Sequence, residues 1–120
     1  MFRKKEKNRI VVKVGTSTLT HKTGKTNIAR IAKLASVLSD LKNAGYEVIL
    51  VSSGAIGVGT GKLRLSEKPG TTKGLQAAAA VGQCELMFLY DKLFSEYGVV
   101  VSQLLFTSDE LYNAESRMHL

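Results

Sequence analysis

The stretch RIVVKVGTSTLT, Arg9 to Thr20, decides how the rest of the chain is read. Ile10-Val11-Val12 and Val14 form the β-branched run of a strand buried in an α/β protein, and Gly15 ends it. Lys13 lies inside that run, where an unpaired ammonium would lose its hydration for nothing. The lysine therefore needs an anionic partner or a place where the strand opens onto solvent. Both readings, a snorkelling lysine at a strand end and a phosphate-binding lysine, stay open on these residues alone.

Working outward, GTSTLTHKTGKT reads as a polar loop. Ile28, Ile31, Leu34, Ala35, Leu38 and Leu41 then recur at helical spacing, so the pattern predicts an amphipathic helix over Asn27 to Ala44, capped by Asn27 or Thr26 and stopped by Gly45. Glu47 to Val51 is a second short strand. A strand, a crossover helix and a strand make a βαβ unit with parallel strands. SSGAIGVGTGK follows, glycine-rich where a strand passes into a helix. Leu63 to Thr71, with the only proline, Pro69, reads as a surface loop. Thr72 to Tyr97 is a long helix, apolar on most sides and expected to be largely covered, with Cys84 packed within it. Val99 to Phe106 reads as a third buried strand, and Thr107-Ser108-Asp109-Glu110 as the start of a last helix.

The 120 residues carry 17 Lys and Arg against 10 Asp and Glu, a formal charge of +7. Four of the cations precede Arg9, in a basic N-terminal tail of residues 1–8, and the others are scattered. There is no RNA-binding aromatic signature, zinc-ligand spacing or compact basic helix, so the expectation is a surface serving small anions and no nucleic-acid partner. Apolar runs stop well short of a membrane span, and the charged start has no signal-peptide core behind it. One cysteine without a CxxC or histidine neighbour agrees with a reducing compartment; the expected location is cytoplasmic.

Two turns are suited to chemistry. Ligands of open parallel sheets bind beyond the carboxyl ends of the strands, which is where Lys13, Gly15, Thr16 and Ser17 fall. Ser53, Gly54 and Ala55 lie at the end of the neighbouring strand and at a helix N-terminus, where free N–H groups and the helix dipole meet; an ordinary serine cap is the competing reading. Both turns follow consecutive parallel strands and open on one edge, which suits two anionic substrates. A P-loop is excluded because Gly61-Lys62 is preceded, five residues earlier, by Ile56, and Gly24-Lys25-Thr26 by Leu19. The dinucleotide fingerprint fails at Lys62, which stands where Gly57-Val58-Gly59 would need a third glycine. His21 and His119 are read as non-catalytic, Asp109, Glu110 and Glu115 as caps, and no carboxylate pair demands a metal ligand set.

VVKVGTSTLT, GYEVILVSSGAIGVG, AAAAVGQ and LYDKLFSEYGVVVSQLL, in this order and spacing, closely resemble the N-terminal half of the glutamate 5-kinase branch of the amino-acid kinase family. The resemblance implies a three-layer αβα sandwich with a mostly parallel sheet, present over residues 9–120 as an incomplete domain. It implies transfer of the γ-phosphate of ATP, with Mg²⁺, to the γ-carboxylate of L-glutamate, the first step of proline biosynthesis. Lys13 would then be the catalytic lysine on the transferring phosphoryl group, and Lys13, Gly15, Thr16 and Ser17 would hold the ATP phosphates. Ser53, Gly54 and Ala55 would bind glutamate. A full-length homo-oligomer is expected. The departures are Leu75, where the family has a lysine, and LYNAESRMHL, a poor match to the usual continuation. The family's asparagine and aspartate segments, its second lysine and most of its nucleotide pocket have no counterpart here, so the isolated chain is expected to be inactive. The alternatives are another phosphotransferase of this family, or a non-catalytic fragment acting through association.

Overall fold

The computed structural model describes residues 8–104. Strand β1 (Arg9–Val14) leads into a one-turn helix α1 (Thr16–Leu19), then helix α2 (Ile28–Asn43), strand β2 (Glu47–Ser52), helix α3 (Ala55–Lys62) and helix α4 (Thr72–Ser95). The two strands pair in parallel, Arg9 opposite Glu47 and Val14 opposite Ser52, with α2 in the crossover. This is the expected βαβ unit of an α/β fold, with strand ends displaced by one residue from those read in the sequence. Asn27 caps α2 by accepting a hydrogen bond from the Arg30 amide at 3.2 Å, and Thr71 caps α4 by accepting one from the Gly74 amide at 3.1 Å.

Strand alternation divides the sheet into unlike faces. Val14 is buried and Val12, Val48 and Leu50 pack against a core made by Ile31, Ala35 and Leu38 of α2, Leu86, Tyr90 and Phe94 of α4, Leu19 and Val58. The opposite face carries Val11, Lys13, Ile49 and Val51, all exposed, with Val11 at 59%. The strand read as buried is thus buried on one face only among the described residues. Among the described residues the helices form one layer against one side of the sheet.

Three further expectations change. The polar loop after Gly15 begins with α1, whose Leu19 is fully buried and anchors it to the core. Helix α4 is covered along one stripe, Ala78, Gly82, Leu86, Tyr90 and Phe94, rather than on most sides, so Phe88 is 62% exposed and the Cys84 thiol is exposed instead of packed. The third strand is absent among the described residues: 99–104 follow no regular pattern, because no neighbour offers a ladder for their N–H and C=O groups. Val99 is buried, but Val100 and Leu104 stand out at 89% and 77% exposure. The expected helix from Thr107 lies outside the described residues.

Helices α3 and α4 pack backbone against backbone. A Cβ at Gly82 would collide with the carbonyl oxygen of Ala55, and one at Gly59 with that of Ala78. The glycines of GAIGVG and AVGQ therefore serve this close approach, which fixes the α3 N-terminus against the long helix. A Lys62–Glu85 ion pair at 3.4 Å joins the same two helices.

Candidate functional site

Both turns that follow the strands meet at one edge. Ser53 joins them directly: its amide donates to the Val14 carbonyl at 3.0 Å and its hydroxyl to the same oxygen at 3.2 Å. With its proton committed to the backbone, the Ser53 hydroxyl offers lone pairs in the remaining directions. Gly54 sits in the left-handed region at φ 99°, which turns the chain sharply from β2 into α3. A side chain at Gly54 would also come within 2.9 Å of Thr16 Cα, so this turn needs glycine twice over. Thr16 is wedged against Gly54 and Gly57, which locks the first turn on the second.

Gly15 has a different role. It is extended, at φ −107° and ψ 178°, and the nearest protein atom to its missing Cβ is Ser53 Oγ at 3.9 Å. The protein would tolerate a Cβ there, so its omission leaves free room at the strand end rather than relieving a clash.

A cleft of about 700 Å³ opens at this junction. Thr16, Ser53, Gly54 and Ala55 line it, so four of the residues singled out from the sequence are brought together. Ser17 lines a neighbouring cleft of about 460 Å³ with Asn27 and Arg30, whose guanidinium donates to the Ser17 carbonyl at 3.2 Å. Thr20, His21 and Lys22 form the wall shared by the two clefts. Lys13 is exposed on the bare sheet face, two residues from Gly15, and lines neither cleft. Among the described residues no carboxylate pairs with it.

The larger cleft is electropositive in its composition: Lys22 and Lys68 line it with His21, and no aspartate or glutamate does. An uncapped α3 start adds amide dipoles, since Gly54 supplies no side-chain cap. The arrangement can hold an anionic ligand against Ser53. Sequence reasoning missed Lys22 and Lys68. Lys22 had a usable signal, because it follows β1 and so returns to the carboxyl edge; Lys68, past α3, had none. No cluster of three His, Cys, Asp or Glu occurs among the described residues.

Behind the site, the Ser52 hydroxyl and the Tyr90 phenol are 2.8 Å apart, and burial pushes the Tyr90 phenol above its ordinary pKa while the Ser52 hydrogen bond opposes that rise. This pair ties the end of β2 to α4 immediately before Ser53.

Comparison with known proteins gives a consistent picture. Residues 8–119 match the Amino acid kinase family. The glutamate 5-kinase of Clostridium perfringens (strain 13 / Type A) is 62% identical over 109 residues, which cover 91% of this chain and 40% of the relative. That of Listeria monocytogenes serotype 4b (strain CLIP80459) is 60% identical over 105 residues, 88% of this chain and 38% of its own. The glutamate 5-kinase of Moorella thermoacetica is 57% identical over 103 residues, 86% of this chain and 27% of its own. The chain spans at most about 40% of the length of these relatives.

Proposed function

The chain belongs to the amino acid kinase family, and we propose that it is the substrate-side part of a glutamate 5-kinase that makes L-glutamyl 5-phosphate from L-glutamate and ATP. The observation that supports this reading is the junction of the two turns, Thr16 against Gly54 with Ser53 bonded to Val14, with Thr16 of the first turn and Ser53, Gly54 and Ala55 of the second lining one cleft. Such a site matches a reaction between two anions, in which catalysis is mainly positioning and neutralisation of charge.

In this reading Ser53 turns its lone pairs to the ammonium of the amino acid, and the Gly54 and Ala55 amides face its oxygens. The free room at Gly15, with Thr16 on the cleft wall and Ser17 beside it, fits the phosphates of ATP. Lys13 is the catalytic residue, bringing its ammonium round the strand end to the transferring phosphoryl group; its exposure leaves the stem free to do so. ATP supplies the phosphoryl group and carries Mg²⁺ with it. The γ-carboxylate is already ionised at neutral pH, so attack on phosphorus requires no general base.

Residues 8–104 contain no helix long and apolar enough to cross a membrane, and a cytoplasmic, homo-oligomeric parent protein is part of the same proposal. The test is ADP formation by the full-length chain with L-glutamate, aspartate, carbamate and a nucleoside monophosphate offered separately. Glutamate-dependent turnover is expected, with Lys13→Ala lowering kcat by about a hundredfold or more and Ser53→Ala raising KM for glutamate. Turnover only with another acceptor would transfer the reading to a different kinase of the family. Residues 1–120 alone are expected to show no glutamate-dependent ADP release.

A further inference from the structure

We infer that Lys22 and Lys68 determine acceptor specificity by holding the carboxylate of a dicarboxylic amino acid that is not phosphorylated; the inference rests on the function proposed above. Lys22 and Lys68 both line the cleft, and they come from separate loops. Neither is in an ion pair among the described residues, whereas Arg9 and Lys62 are, with Glu47 and Glu85. A cleft with two cations and no carboxylate on its walls leaves charge that a carboxylate of the ligand would compensate.

Both loops are held in place. The Lys22 loop is a miniature hairpin: Thr20 bridges Thr26, the His21 amide donates to the Lys25 carbonyl at 2.8 Å, and the Gly24 amide to the His21 carbonyl at 2.9 Å. Its tip is docked on α3, because the Gly24 carbonyl occupies the space a side chain on Gly61 would need. Lys68 immediately precedes Pro69, whose ring packs on Gly74 in the first turn of α4; a Cβ at Gly74 would approach Pro69 Cβ to 2.8 Å. Two lysines whose backbones are anchored to α3 and α4 lose less freedom on binding than two on floppy loops.

The chemistry assigns the carboxylates. The reacting γ-carboxylate must face the phosphates at Gly15 and Thr16, and the α-ammonium faces Ser53. The α-carboxylate, bonded to the same carbon as the ammonium, is then a further anionic group to be held in the cleft, and Lys22 and Lys68 are the lysines that line it. Its partners are compact, flexible point charges, which suit a carboxylate that needs holding without a fixed bidentate geometry.

The experiment is steady-state kinetics of the full-length chain with L-glutamate and with 4-aminobutyrate, which keeps the reacting carboxylate and the amine but lacks the other carboxylate. In Lys22→Ala/Lys68→Ala the KM for glutamate is expected to rise about tenfold or more with kcat little changed. The preference for glutamate over 4-aminobutyrate should collapse in the same variant. Lys22→Arg/Lys68→Arg should restore much of it, and Lys62→Ala, outside the cleft, should leave both constants alone. An unchanged glutamate KM in the double alanine variant, or a fall in kcat at constant KM, overturns the inference while the proposed function stands. A wild-type chain that does not phosphorylate glutamate overturns both.

Discussion

The interface between α3 and α4 and the outer face of the β1–β2 pair are made from similarly apolar sequence and have opposite fates. Between the helices, Gly59 and Gly82 let the backbones touch, and no added atom fits. On the sheet, Val11, Ile49 and Val51 are 59%, 44% and 45% exposed. Hydrophobic residues contribute to stability through the area they remove from water, so the first region holds this chain together and the second contributes little. Apolar composition alone does not distinguish the two; a partner surface does.

That contrast can be broken most forcefully at Gly82. Gly82→Ala drives a methyl group into the Ala55 carbonyl, and a loss of about 3 kcal/mol or more is expected from such overpacking. Urea denaturation would read it, and an unchanged midpoint would mean that α3 and α4 can separate without cost. Leu86→Ala, which empties a position at 1% exposure in the same region, should cost about 3 kcal/mol. The calorimetric melting temperature is the check, and the effect should match the Gly82 variant in sign.

A smaller effect is expected at the hydrogen bond between Ser52 and Tyr90. Tyr90→Phe keeps the ring against Phe94, 6.3 Å away between centroids, and should lose about 1 kcal/mol. It also carries a pH signature. Because burial raises the phenol's pKa in the folded state, the wild type keeps this contribution below the unfolded value of about 10 and loses it as pH climbs through the higher folded value. The variant's stability should therefore fall less steeply above pH ~10, and parallel curves would remove Tyr90 from the alkaline transition.

The smallest effect belongs to the bare sheet face. Val11→Thr retains the β-branched shape and should change stability by less than about 0.5 kcal/mol, as surface substitutions do. A loss above 1 kcal/mol, read by the same denaturation, would show that this face is covered in solution.

Much of this arrangement was legible before any coordinates. Asn27, with Thr26 as the alternative cap, marked the start of α2, and the alternation of two β-branched runs with one amphipathic helix gave the parallel pair. Their meaning is local, set by chemistry within a few residues, and local chemistry survives in the chain order. The meeting of Thr16 with Gly54 followed from topology, since consecutive parallel strands end on one edge. The unlike faces of the sheet, the exposure of Cys84 and the irregular path of residues 99–104 were not legible, because each depends on which surface lies opposite.

By itself the sequence determined, to within one residue, where the strands end, which residues turn there, and so which residues gather at that edge. Tertiary structure alone decided that Lys13 faces solvent beside the cleft while Lys22 and Lys68 line it. Strand alternation and the docking of Gly24 on Gly61 and of Pro69 on Gly74 set those positions, and contacts between residues distant along the chain leave no periodic trace in it.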